Sequence, residues 1–255
     1  MTPALLFAFL LVFVRCSAML MSSPVFGAQN TPLPVRIFTT LSISAAITLV
    51  VNPAKSAPPA DMGAFVLAVG NEAVAGLLLG FFMSLVLQAA QLAGSIMDMQ
   101  LGLSMSQILN PISGVQVTVL AQFKFMLGTV LYLAMNGHHQ LLTAFANSYK
   151  TIPAIGVDTM PAIGANLLAL VSGVCVLALQ IAAPVIAVSL VIDAALGLIS
   201  KAVPQMQAMV VGMPAKILVG MIALTVSLPA LASGIQSGVG YGMDSLARVF
   251  QARAK

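Results

Sequence analysis

The adjacent histidines His138 and His139 are the first residues whose type suggests chemistry, because imidazole is the commonest ligand for a transition metal. Neighbouring side chains point in divergent directions, and no carboxylate follows at a useful helical spacing, so a turn is the better reading of Asn136-Gly137-His138-His139. Asp98 and Asp193 lie in apolar surroundings, as the acids of an intramembrane aspartyl dyad would. The one Gly-rich acid motif, Gly240-Tyr241-Gly242-Met243-Asp244, misses the Gly-x-Gly-Asp spacing by one residue. Cys16 and Cys175 stand singly in apolar runs with no Cys-x-x-Cys spacing, which argues for packing rather than a disulfide or zinc. The sequence has no Gly-x-Ser-x-Gly elbow, phosphate loop or dinucleotide fingerprint. The expectation is a protein without catalytic residues, cofactor or metal.

What must position any functional residue is a set of apolar helices. Hydrophobic residues make up 60% of the chain and charged residues 6%, with a mean hydropathy of +1.07. Too few polar side chains exist to cover a water-soluble surface, so the chain belongs in or against a membrane, with lipid among its surroundings. The 255 residues suit a single helical membrane domain over 1–255. The net charge of +4 arises from residues scattered singly, and no basic patch suggests nucleic acid. Met1 to Val14 is apolar like a signal-peptide core but lacks a preceding basic residue, so a retained first helix is expected. Arg15 stands where lipoprotein processing at Cys16 would need a small residue.

Apolar segments run from about Pro3 to Met21, Ile37 to Val51, Met62 to Ala90, Val115 to Met135, Gly164 to Ile192 and Lys216 to Ala232. The fold class expected is therefore all-α, with about six broken apolar helices arranged as hairpins. Breaks are signalled at Pro24, Pro32 and Pro34, at Asn52-Pro53 and Pro58-Pro59, at Asn110-Pro111, at Asn136-Gly137, at Pro153 and Gly156, and at Pro204 and Gly212. Small residues four apart, Gly76 and Gly80, Ala90 and Gly94, Gly234 and Gly238, allow helix backbones to approach closely.

These helices make poor lipid-facing spans. Ile37 to Val51 forms roughly 22 Å of helix against a hydrocarbon core of about 30 Å. Arg15, Glu72, Asp98, Lys124 and Asp193 fall within or at the ends of apolar runs, where each would cost roughly 2.5–3.5 kcal/mol at a bilayer centre. They are expected to act as structural charges, with Lys201 as a further one. Asp98 has no basic neighbour in sequence, and Lys124 in the following helix is its expected partner in a buried pair that fixes the hairpin. Basic residues fall on both sides of a six-span arrangement and fix no inside face. Short helices with central charges are better explained by packing on other subunits than by lipid alone.

Several patterns together resemble one family, the FliR subunit of the bacterial flagellar type III export gate, whose near relative is the injectisome subunit SctT. The first are Phe13-Val14-Arg15-Cys16-Ser17-Ala18 with Ser23-Pro24-Val25-Phe26-Gly27 and Pro34-Val35-Arg36. Next come Glu72-Ala73-Val74-Ala75-Gly76-Leu77-Leu78-Leu79-Gly80-Phe81 and the run from Gln91-Leu92-Ala93-Gly94 through Asp98 to Ser104, ending at Asn110-Pro111. Leu133-Ala134-Met135-Asn136-Gly137-His138-His139, Ser148-Tyr149, and Ala183-Pro184 through Asp193 and Lys201 to Lys216-Ile217 complete the match, with Lys201 where arginine is usual.

The resemblance implies a subunit that joins copies of FliP and FliQ in a closed helical assembly around a pore, with FlhA and FlhB nearby. That assembly sits in the bacterial inner membrane at the flagellar basal body and passes unfolded export substrates. In this family one half of the chain, here to about residue 160, mimics FliP hairpins, and the remainder, about 161–255, mimics FliQ. Such a pore needs an apolar, deformable lining, which methionine supplies. Met97, Met99 and Met105 fall near one break, and Met206, Met209 and Met213 near another.

Asn110-Pro111 and Ser113-Gly114 favour a turn, so Ser106 to Val117 reads as a loop with apolar side chains that need burial. By resemblance this loop is a plug across the closed pore, carried by Ser106, Gln107, Ile108, Leu109, Asn110, Pro111, Ile112, Val115 and Val117. Met99, Gln100, Gly102 and Met105 form its approach. Two rival readings remain: the equivalent subunit of a virulence injectisome, and a small-solute transporter, which shares broken helices and midplane charges but usually shows matched repeats.

Overall fold

In the computed structural model of the chain, residues 3–27, 31–51, 59, 61–104, 118–151, 160–203 and 208–251 are described. Their regular structure is helical throughout. The helices are α1 (Pro3–Ser22), α2 (Leu33–Val51), α3 (Met62–Leu101), α4 (Val119–Ala134), α5 (Gly137–Thr151), α6 (Met160–Ala202) and α7 (Ala208–Gln251). Five are long and apolar enough to cross a membrane, or six if α4 and α5 count as one broken span. The all-α expectation and its number of apolar helices hold.

Most helices run on beyond the hydropathy segments; α4 is the exception, since it stops at Ala134, just short of the expected Met135. α3 continues from Ala90 to Leu101 because its polar residues Gln91, Ser95, Asp98 and Gln100 are good enough helix formers once the opposite face is packed. α6 passes through Pro184, and α7 through Pro214 and Pro229. In apolar surroundings neighbouring groups can satisfy the carbonyls that proline frees. Gly212, expected at a break, lies inside α7, buried against Leu196. The turn after α4 is confined to Met135 and Asn136, which adopts φ 56°. His138 and His139 therefore belong to the first turn of α5 rather than to the turn itself, their rings 4.4 Å apart.

The chain forms two compact units that alternate along the sequence. The first contains residues 1–85, 136–170 and 239–255. Here α1 packs along α2, and Val12, Cys16 and Met19 of α1 are buried with Ala75, Leu79 and Met83 of α3 and Phe145 of α5. The second unit contains residues 86–135 and 171–238, with a core that includes Leu87, Ala93 and Met97 of α3, Tyr132 of α4, Val185 of α6 and Leu231 and Ile235 of α7.

Glycine sets helix separation in both units. A methyl group on Gly76 would strike the Arg15 carbonyl and Ala18 of α1, and one on Gly80 would strike Met19 and Ser22. In the second unit a methyl on Gly94 would run into the backbone of Leu120 and Ala121. The close approach expected from the small-residue spacings is thus made at both places.

Candidate functional site

Each unit holds buried polar groups, and their partners follow from which helices glycine brings together. In the first unit Arg15 is 2% exposed and projects from α1 towards α3 and α5. Its Nε and Nη2 donate to Glu72 Oε2 and Oε1 at 2.5 and 3.0 Å, a two-pronged arrangement suited to the planar guanidinium. Nη1 donates to Ser148 Oγ at 2.9 Å, and the guanidinium carbon lies 4.1 Å from the centre of the Tyr149 ring. Phe145 meets that ring edge-on from one turn earlier in α5. One arginine thereby ties three helices, and its charge is matched where lipid or protein would otherwise leave it bare.

In the second unit Asp98 of α3 is fully buried, and its Oδ2 accepts hydrogen bonds from the backbone N–H groups of Leu120 and Ala121 at 2.9 and 3.1 Å. The first turn of a helix has unsatisfied donors and a partial positive charge, so a carboxylate is favoured there. Thr118 occupies the N-cap position of α4 but makes no side-chain cap bond. Asp98 supplies the cap from another helix, made possible by the bare backbone of Gly94 one turn earlier.

The expected pair between Asp98 and Lys124 is not formed. Lys124 is also fully buried, but its Nζ donates to Ser227 Oγ of α7 at 2.6 Å, and that hydroxyl in turn donates to the Leu224 carbonyl at 2.7 Å. The reason is geometric: the amides of Leu120 and Ala121 hold Asp98 Oδ2 while Lys124, one turn along the same helix, reaches towards α7. Asp98 does fix the α3–α4 hairpin as expected, through backbone donors rather than a cation.

Asp193 of α6 pairs with Lys216 of α7 at 2.5 Å, with Lys216 the more buried partner. Lys201 is exposed in the last turn of α6, where a cation suits the helix dipole. Of the residues expected at the pore approach, Met99 is 75% exposed, and Gln100 Oε1 accepts from Ser189 of α6 at 3.4 Å. Gly102 takes φ +76° at the end of α3, with Met213 beside it. Met105 and all the expected plug residues, Ser106, Gln107, Ile108, Leu109, Asn110, Pro111, Ile112, Val115 and Val117, lie outside the described residues, as does Met206. Ser148, Tyr149, Lys216 and Ser227 were not expected as partners. The signal for Ser227 is one hydroxyl in an apolar run, which marks no partner by itself.

A set of apolar helices in which Arg15, Glu72, Asp98 and Lys124 are each met by groups of other helices defines an integral membrane component, and the described residues form no catalytic constellation. Residues 6–240 match the family described as bacterial export proteins, family 1. The chain is 32% identical over 230 residues to the flagellar biosynthetic protein FliR of Bacillus subtilis, covering 88% of this chain and 87% of that protein. It is 32% identical over 225 residues to FliR of Caulobacter vibrioides, covering 87% and 88%. The surface presentation of antigens protein SpaR of Salmonella typhimurium is 31% identical over 160 residues, 63% of this chain and 60% of that protein. The chain belongs to the FliR family of bacterial export proteins.

Proposed function

We propose that this chain is a core subunit of the flagellar type III export gate, forming with FliP and FliQ the channel for unfolded flagellar proteins in the bacterial inner membrane. The observation that carries the reading is an export-family chain whose long apolar helices remain largely uncovered by its own residues. Leu190, Val191 and Leu198 of α6 and Leu218, Ile222 and Val226 of α7 are all more than half exposed, although the charges of Arg15, Glu72, Asp98 and Lys124 are met within the chain. Such faces are covered by lipid or by other membrane subunits. In this reading residues to about 160 take the place of FliP hairpins and the remainder that of a FliQ hairpin, with FlhA and FlhB as neighbours. The flagellar assignment is preferred over an injectisome because flagellar relatives match across most of the chain.

Residues 106–117 serve as the plug of the closed pore in this proposal, and Met99, Gln100, Gly102 and Met105 as its approach. The support is the apolar turn chemistry of that stretch together with its position between α3 and α4, whose ends are clasped by Asp98. The deciding experiment is the subunit composition of the complex carried by a tagged copy extracted in mild detergent. One copy with several copies of two other small membrane proteins is expected; a homogeneous monomer or dimer would sink the reading. Shortening residues 108–117 is expected to let a small dye enter cells while the complex still assembles, and a tight membrane would remove the plug from the proposal.

A further inference from the structure

α2 is hydroxylated on its inner side and apolar on its outer side. Its buried side chains, Thr40, Ser44 and Thr48, follow one another at intervals of four, and Thr40 and Thr48 donate to the carbonyls of Arg36 and Ser44 in their own helix at 2.7 Å. This stripe of small residues lies against α1, where the Cys16 thiol donates to the Thr40 carbonyl at 3.9 Å. Towards the C-terminal end of α2 the same two helices leave a groove of about 890 Å³ between residues 5–13 of α1 and 45–49 of α2. Phe9 and Phe13 stack at 6.3 Å along its α1 wall. Leu6, Ala45 and Leu49 stand exposed beside it. Every side chain lining the groove is hydrocarbon except Thr48, whose hydroxyl is already committed to Ser44.

We propose that this groove is a lipid site, holding an acyl chain of a membrane phospholipid between α1 and α2. The proposal goes beyond the channel role and does not depend on it. Size and lining decide between a lipid chain and a helix of a neighbouring subunit. A helix is roughly 10–12 Å across and rises 5.4 Å per turn, so the groove accommodates about two turns at most, far short of a span. Helix backbones approach one another in a membrane across small residues. The small residues of α2 in its buried stripe are spent on α1, whereas Leu6 and Leu49, 58% and 82% exposed, hold a second backbone away. A flexible hydrocarbon chain fills an irregular gap that a rigid helix leaves unfilled, and so restores dispersion contacts to the Leu and Phe side chains around it. Charge agrees as well, since an uncharged lining matches an uncharged chain. Access is direct. Leu41, Ala45 and Leu49 recur at intervals of four on the exposed side of α2, with Val50 next to them, so the groove continues into an apolar face of a helix long enough to span the bilayer.

The test is photolabelling of the full chain in its native membrane assembly with phosphatidylethanolamine that carries a diazirine at mid-chain. Cross-linked peptides are mapped by mass spectrometry twice, in intact membranes and after extraction and washing in lipid-free mild detergent. Label on residues 5–13 and 45–49 is expected in the membrane and is expected to survive the wash, while label elsewhere on the chain falls away with the bulk lipid. Phenylalanine at Ala45 (A45F) places a ring in the groove, and is expected to lower the retained label at least about fivefold, as an overpacked contact does. Absence of label from the groove in intact membranes would overturn the proposal and is the result expected if a neighbouring subunit covers it. Label that washes out as fast as the bulk lipid would also overturn it, since the groove would then only touch the bilayer. Retained label that is the same in A45F would place the lipid elsewhere and overturn it too. Should A45F not accumulate, the smaller A45L takes its place, and retention of the label by the unmodified chain decides in either case.

Discussion

Arg15 and Glu72 lie 57 residues apart in sequence yet share two hydrogen bonds, Nε to Oε2 and Nη2 to Oε1, in the interior of the first unit. Removing one partner leaves the other charge buried and unpaired, which costs about 3–5 kcal/mol, whereas removing both replaces a polar pair with an apolar contact at much lower cost. R15L and E72L are each expected to reduce the steady-state level and the Tm of the detergent-extracted protein sharply, and the double variant R15L/E72L to recover part of the loss. A double variant as unstable as either single one would mean that the pair is not the unit of stability.

Arg15 also lies over Tyr149, with the ring face towards the guanidinium. Phenylalanine keeps that face, and the Tyr149 hydroxyl has no hydrogen-bond partner to lose. Y149F is therefore expected to leave the Tm within a few degrees of wild type, while Y149L forfeits a contact worth up to about 2 kcal/mol where solvent is excluded. Equal losses in thermal melts of the two variants would assign Tyr149 a role through its hydroxyl instead.

Asp98 caps a helix to which it does not belong, so its removal should be felt at two amides in particular. D98A is expected to accelerate hydrogen exchange at Leu120 and Ala121, with a stability loss of about 1–3 kcal/mol for the stranded donors. D98N retains an acceptor oxygen and should fall between. The exchange double swap D98K/K124D is expected to rescue neither single variant, because a lysine cannot accept from the amides. Unchanged protection at Leu120 and Ala121 in D98A would refute the cap.

Much of this arrangement is legible in the sequence, and the rest is hidden for identifiable reasons. The apolar helices are visible because hydrophobicity is summed over many residues. Their ends are less so: Pro184, Pro214 and Pro229 read as breakers in water but sit within helices here. That Arg15, Glu72, Asp98 and Lys124 need partners follows from their surroundings. Which partners they find does not, since the donors to Asp98 are backbone groups that every residue carries. Ser227 likewise becomes meaningful only when α7 is placed against α4.

That hydroxyl gives the next expectation. Ser227 accepts from the Lys124 ammonium and donates its own hydroxyl hydrogen bond to the Leu224 carbonyl. S227A leaves a fully buried ammonium short of its acceptor, at a cost of about 1.5–3 kcal/mol for a bond to a charged group. K124M in the same background removes the charge in question, so K124M/S227A is expected to melt higher than S227A alone. If the second substitution lowers the Tm further, Lys124 has another partner that matters more.

Glycine substitutions separate close helix approach from mere tolerance of glycine. A methyl group on Gly94 would meet the Cα and N atoms of Ala121 and the Leu120 carbonyl, backbone that cannot step aside without carrying α4 with it. A methyl on Gly76 meets the Arg15 carbonyl in the same way. Gly70 and Gly197 are also helical, but a methyl there meets nothing within 4 Å. In a helix interior alanine is otherwise favoured over glycine by about 1 kcal/mol. G70A and G197A should therefore leave thermal stability unchanged or raise it, whereas G94A and G76A should lower it, by about 1–3 kcal/mol for an overpacked contact. G94A should in addition loosen the exchange protection of Leu120 and Ala121, because displacing α4 takes those amides away from Asp98. G76A should leave that protection intact, since its clash lies in the other unit. Loss of the Leu120 and Ala121 protection in both variants would mean that the two units do not respond independently, and its loss in neither would mean that α4 is not held against α3 at Gly94.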